Sequence, residues 1–294
     1  MVTRVMGGLA LVAMACGGSR SAPPAPAPAA EPAAAAPANP VDYLVIGPRA
    51  LVGATAPLVA LRERQGHGVE ILELESLGVH TRDTIRAAVA ARAADAPGLR
   101  FVLLLGDPES NGVPSFPRVS PFGEPFLTDF PYAEAADDRV LRVGRIPART
   151  AAELEGVVAK IVRYETEPVH GGWQRRINMF AGPAKFGIVV DALIERAVTA
   201  ILEQVPYDFD VNVTFAKPES PYAYRLDRLT GAISEELGRG SLVTVYTGHG
   251  LPYALDSVSW RGQAYEIGNT TDLAPVRIPH GSPFFISLTC LTGA

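Results

Sequence analysis

Short apolar runs alternate along this chain with stretches in which apolar positions recur every three or four residues. Asp42–Gly47 is an apolar run bounded by a polar residue and a glycine, the pattern of a strand buried on both faces. A helical stretch through Leu58, Leu61 and Arg62 follows and stops at Gln65–Gly68, and Val69–Leu74 returns as a strand. Thr81 starts a helix through Ile85, Ala88 and Val89, after which Leu99–Leu105 reads as another buried strand ending in Gly106–Asp107. A loop rich in proline, phenylalanine and acids separates it from a strand over Val140–Pro147. Thr150, with Glu153 three residues later, forms a capping box for a helix that carries Leu154, Val157, Val158, Ile161 and Val162 on one face. Pro168 stops it.

The plan then repeats. Ile177–Gly182, Phe209–Phe215, Ser241–Thr247 and Pro283–Thr289 read as strands. Val190, Ile194, Val198 and Ile201 mark one helix, and Leu226, Leu229, Ile233 and Leu237 mark another that ends at Gly238. This order predicts an α/β protein with parallel sheets flanked by helices, in two subdomains over 41–170 and 171–294. In such sheets function collects at the carboxyl ends of strands, here Gly106–Asp107, Gly248–His249–Gly250 and Cys290.

The first forty residues have a different character. Arg4 precedes an apolar stretch too short for a permanent membrane span, ending in small residues before Cys16. Val12–Cys16 resembles a bacterial lipobox, so residues 1–16 are expected to be a lipoprotein signal peptide with Cys16 lipidated. Ala, Pro, Gly and Ser dominate 17–40, a tether with nothing to bury. The expected place is the bacterial cell envelope or beyond it, with the membrane contacted through the lipid anchor.

Composition narrows the partners. Of 294 residues 48% are hydrophobic and 19% charged, which suits a folded chain, and the net charge of −5 offers no basic face to nucleic acid. The two cysteines, Cys16 and Cys290, sit in segments too unlike each other to pair as a disulfide.

Cysteine chemistry needs a thiolate with a proton acceptor close by. Cys290 and His249 each follow a mostly apolar strand, so adjacent parallel strands would present both over one cleft. The backbone N–H groups of Gly250 and Cys290 would then supply a two-donor oxyanion hole. A free cysteine is more often a small core residue. His67, His170 and His280 are also followed by glycine, but none directly follows a strand as His249 does, and His80 is an isolated loop residue.

Tyr246–Gly250 and Ser287–Gly293 resemble the His and Cys motifs of gingipain-type cysteine peptidases, a family of the caspase-like clan. Phe101–Asp107 with Val113–Pro114, Thr128–Ala133, Val143–Thr150, Glu153–Leu154 and Lys160–Glu165 are similar to further blocks of that family, in the same order. The resemblance implies a caspase-like fold and a secreted cysteine endopeptidase acting on proteins or peptides. His249 would be general base or acid and Cys290 the nucleophile. It implies no required cofactor, and structural calcium as a family trait. Asp129, Glu134, Asp137 and Asp138 are either calcium ligands or a solvated loop, with the loop favoured. Asp208, Asp210, Asp256 and Asp272 all stay open as an acidic specificity residue, and no residue is assigned to orient His249.

Family members continue well past the nucleophile with segments that wall the substrate pocket, whereas this sequence stops four residues after Cys290. The second subdomain is therefore expected to be truncated. A reading of another class is a non-catalytic surface lipoprotein or secretion accessory; a sortase-like transpeptidase is its enzymatic variant.

Overall fold

A computed structural model of the chain describes residues 39–120, 123, 125–136, 139–167, 170–183, 196, 199–200, 202–218, 220–273 and 275–289. Two four-stranded sheets, all parallel, make up its frame. The first holds β1 (Val41–Gly47), β2 (Gly68–Glu73), β3 (Phe101–Leu105) and β6 (Arg142–Ile146), in the order β2-β1-β3-β6. A two-stranded antiparallel hairpin, β4 (Phe116–Val119) and β5 (Pro125–Thr128), stands between β3 and β6 in the chain.

The apolar runs have a simple cause. Leu44, Ile46, Val102 and Leu104 pack on one face of the first sheet against Ile85 and Val89 of helix α2 (Arg82–Asp95). Val45, Leu103 and Leu105 pack on the other, against Leu58 of α1 (Ala56–Arg64) and Leu154 and Val158 of α3 (Ala151–Thr166). Both faces are covered, so neighbouring positions are apolar and the period-two alternation disappears.

Helix starts follow their caps. Thr81 accepts from the N–H of Thr84, and Thr150 from that of Glu153 at 3.2 Å. The capping box at Thr150 is only half formed. Glu153 accepts from the N–H of Arg149 at 2.8 Å, one residue upstream of the expected donor. The Arg149 guanidinium is itself held by Asp107 at 2.7 Å.

The second sheet holds β7 (Arg176–Ala181), β8 (Asp210–Phe215), β9 (Val243–Thr247) and β12 (Phe284–Leu288), ordered β12-β9-β7-β8. Helix α4 (Leu229–Gly238) lays Leu229, Ile233 and Leu237 against Phe180 and Tyr246. Of the helix expected through Val190, Ile194, Val198 and Ile201, those four residues lie outside the described ones, while Arg196, Thr199, Ala200 and Leu202 are helical. A second antiparallel hairpin, β10 (Ser257–Trp260) and β11 (Gln263–Glu266), follows β9. Strand β12 is an edge strand, with Phe284, Phe285, Ile286 and Leu288 all exposed.

Candidate active site

The central strand of the second sheet sets the site. Register pairs Ala181 of β7 with Thr247 of β9, and Thr247 with Leu288 of β12, so three strands end at one level. Past that level Gly182 donates its N–H to the Thr247 carbonyl at 2.8 Å, and Gly248 donates to the Leu288 carbonyl at 3.3 Å. His249 is the next residue, half-buried, and Gly250 after it is buried. Cys290 stands two positions after Leu288, as His249 stands two after Thr247, but Cys290 lies outside the described residues, as does Cys16. The last residue before it, Thr289, is half-buried, with its hydroxyl 3.1 Å from that of Ser287.

Beneath His249 the packing is tight. A Cβ on Gly248 would come within 2.8 Å of the Tyr246 hydroxyl and 3.1 Å of the Gly182 Cα. Tyr246, fully buried, donates its hydroxyl to the carbonyl oxygen of His249 at 2.9 Å and accepts from the N–H of Asp256 at 3.4 Å. Burial, with the nearby Asp256 carboxylate adding to it, pushes the Tyr246 hydroxyl up to about 12. It therefore stays a neutral donor throughout the physiological range. Asp256 accepts from the Ser257 N–H through Oδ1 at 2.6 Å, while its Oδ2 is buried with no hydrogen-bond partner among the described residues.

The four open acids fall in different places. Asp208 lies 3.8 Å from Arg175, and Asp210 lies 3.2 Å from Arg176. Both precede or begin β8, at the amino edge of the sheet, away from His249. Asp272 accepts from the N–H of Asn269 at 2.8 Å and caps a helical turn. Asp256 is the one of the four bonded into the Tyr246–His249 segment.

The other strand-end motif has a structural occupation. Arg145 makes two hydrogen bonds to Asp129, at 2.7 and 2.8 Å, and a third to the Gly106 carbonyl at 2.8 Å. Ser115 adds a hydroxyl to Asp129 at 2.6 Å. Burial pushes the Asp129 carboxyl up, but the bonds from Arg145 and Ser115 outweigh it and hold the group below its ordinary value. Both oxygens of Asp129 thus accept hydrogen bonds from Arg145 or Ser115, and Asp137 and Asp138 lie outside the described residues. Among the described residues no three His, Cys, Asp or Glu side chains are grouped to hold a metal ion. Asp107 is likewise taken by Arg149.

His67 packs edge-on against Tyr43 and Phe101, with Nδ1 2.9 Å from Asp42. His80 and His170 are exposed. His280 lines a cavity of about 560 Å³ with Lys160, Arg163, Tyr164 and Trp173, next to Leu242 and Ser282. Those two residues precede β9 and β12, so this cavity lies at the edge of the sheet opposite His249. Tyr246 was legible as a strand residue of the His motif, but nothing in its spacing marks the hydroxyl as a tie to His249. A tyrosine at an otherwise apolar position of a central strand is the one available signal, since a buried hydroxyl needs a partner.

A family model described as peptidase family C25 matches residues 36–294. The chain is similar in structure to the Arg-specific cysteine proteinase gingipain R, with a TM-score of 0.66 and 19% identity; the match covers 86% of this chain and 55% of that one. It is also similar to Porphyromonas gingivalis RgpB in the complex of its pro- and mature domains, with a TM-score of 0.64 and 17% identity over 85% of this chain and 55% of that one. At those identities the likeness shows the fold, and the α/β expectation with gingipain-like parallel sheets holds. An "uncharacterized protein" of Archaeoglobus fulgidus is 33% identical over 167 residues, covering 53% of this chain and 40% of that relative. The chain thus spans about half the length of the structures it resembles.

Proposed function

Because this chain belongs to peptidase family C25, we propose that it is a cysteine-type endopeptidase acting on protein or peptide substrates, with His249 and Cys290 as its reacting pair. The observation that carries the reading is the register of β9 on β12. The strands leading to the two residues are hydrogen-bonded neighbours, parallel and level at Thr247 and Leu288. The two side chains then need cross only the gap between adjacent strands.

In the proposed reaction the Cys290 thiol passes its proton to the His249 imidazole, and the thiolate sulfur attacks the carbonyl carbon of the peptide bond. The carbonyl oxygen takes up negative charge, facing the backbone N–H groups of Gly250 and Cys290. When the intermediate collapses the C–N bond breaks, and His249 gives its proton to the departing amine. Water, losing a proton to His249, then attacks the thioester; the new carboxyl group leaves and the thiol is restored. His249→Ala removes the proton acceptor from both halves of the cycle.

Location is part of the same proposal. The lipobox-like Val12–Cys16 and the Ala/Pro-rich 17–40 support a protein exported and held at the envelope by an acyl chain on Cys16.

Iodoacetamide labelling resolved by peptide mass tests the pair. In alkylation the sulfur–carbon bond forms as iodide leaves, and only the thiolate reacts. Cys290 of the unprocessed full chain is expected to label about tenfold faster than Cys16 at about pH 6.5, and His249→Ala to erase that advantage. Equal Cys290 rates in the wild type and His249→Ala from about pH 5 to 8 would leave Cys290 a packing residue and the chain a non-catalytic surface protein.

A further inference from the structure

His249 sits between two glycines, the residues whose backbone is least restrained by its own chemistry. A side chain whose task is to meet a proton at a set distance cannot be left to such a backbone; something outside the Gly248–Gly250 segment must hold it. Among the described residues, hydrogen bonds approach this segment from three sides. Gly182 N–H closes on the Thr247 carbonyl, Gly248 N–H on the Leu288 carbonyl, and the Tyr246 hydroxyl on the carbonyl of His249 itself. The first two are the last rungs of the sheet and end before the histidine. The third reaches the residue that carries the imidazole.

We infer that Tyr246 is a positioning residue for His249, its buried hydroxyl fixing the imidazole's stance by holding the backbone carbonyl of the same residue. This rests on the His249–Cys290 reading above. Packing does not explain the hydroxyl. The ring lies in the apolar cluster with Phe180, Leu229 and Ile233, where a phenylalanine would fill the same space without a polar atom to satisfy. The hydroxyl is instead wedged under Gly182 and Gly248, where a Cβ would come within 3.1 and 2.8 Å of it. The loop after His249 returns to the same oxygen, because the Asp256 N–H donates to it. One phenolic oxygen thus joins the histidine to the residue seven positions on. The span between them is otherwise closed by a turn, in which Leu251 N–H donates to the Ala254 carbonyl at 2.8 Å. Tyr246 touches no substrate in this arrangement; it acts through His249.

The test is the same peptide-resolved labelling, run as a pH profile on the unprocessed full chain. The variants are Tyr246→Phe, Tyr253→Phe, His249→Ala and the Tyr246→Phe/His249→Ala double variant. Tyr246→Phe is expected to slow Cys290 labelling about fivefold at about pH 6.5 and to move the rise of the profile toward that of an ordinary thiol. Tyr253→Phe, an exposed tyrosine of the same loop, is expected to follow the wild type. Without the imidazole, Tyr246→Phe should change nothing further, whereas a purely structural tyrosine would alter Cys290 exposure in both backgrounds alike. Should Tyr246→Phe fail to fold, Gly248→Ala disturbs the same contact by pressing a Cβ toward the hydroxyl, and is expected to shift the profile the same way. A wild-type profile in the folded tyrosine variant, or in Gly248→Ala, overturns the positioning role while the pair stands. A wild-type profile in His249→Ala removes the pair itself.

Discussion

Gly248 donates its backbone N–H to the carbonyl oxygen of Leu288 at 3.3 Å, the last rung that joins β9 to β12. His249 follows that donor by one residue, and Cys290 follows that acceptor by two. The sheet therefore ends the two strands that lead toward His249 and Cys290 as parallel neighbours, level at Thr247 and Leu288. Thr247 and Leu288, 41 apart in sequence, become neighbours through ordinary parallel pairing.

The Arg145–Asp129 pair should matter more to stability than the ion pairs on the surface. Its side chains are 11% and 24% exposed, and removing the arginine leaves a half-buried carboxylate with no cation. Arg145→Met is expected to cost about 3 kcal/mol in a urea titration, whereas Arg225→Met, whose partner Asp227 is half exposed, should leave the midpoint nearly unchanged.

The same pair sets a pH dependence. The Asp129 carboxyl is lowered in the folded chain, so its contribution is present above the unfolded carboxylate value of about 3.9 and is lost as pH falls through the lower folded value. Thermal midpoints of the wild type should fall on acidification below about pH 4, and Asp129→Asn should show a shallower fall over that window.

Two glycines with positive φ should respond differently to alanine. At Gly281, φ is +73° and a Cβ would meet ring carbons of Trp173 at 2.4 Å. At Gly66, φ is +92° with open space around the position. Gly66→Ala should cost about 1 kcal/mol from backbone conformation alone. Gly281→Ala should cost about 3 kcal/mol and shift tryptophan emission as the indole is displaced. Equal costs with unshifted emission would mean that Trp173 does not pack on Gly281.

Lipidation is checked at the mature N-terminus. Mass spectrometry of the protein from membranes of an exporting bacterial host should find acylated Cys16 as the first residue. A mature chain starting at any other residue overturns the anchor.

Most of the frame was legible because its signals are local. Continuous apolar runs such as Val102–Leu105 mark strands covered on both faces, and Thr81 and Thr150 mark helix starts through their own hydroxyls. The two antiparallel hairpins were not legible. In β4–β5, Pro117 and Pro125 argue against strands, and the hairpin tolerates them because it has only two strands. In β10–β11 the two-residue turn is Arg261–Gly262, with φ of +51° and +80°. Arginine is an unusual first residue for such a turn, so the usual Asn-Gly or Asp-Gly signal is missing. At the site, the histidine could be placed from its strand, whereas the roles of Tyr246 and Asp256 depend on the loop after His249 folding back onto β9. That closure is tertiary, and no spacing reports it.

Strand β12 has one more consequence, which concerns the life of the chain before any chemistry. Phe284–Thr289 is six residues with high β-propensity, no charge, no proline and no glycine, set at a sheet edge with its apolar side chains exposed. Such a segment is a template for identical copies of itself, since each new strand pairs the free edge and its side chains interdigitate. The strand that leads to the proposed nucleophile is thus also a hazard for edge-to-edge association of copies.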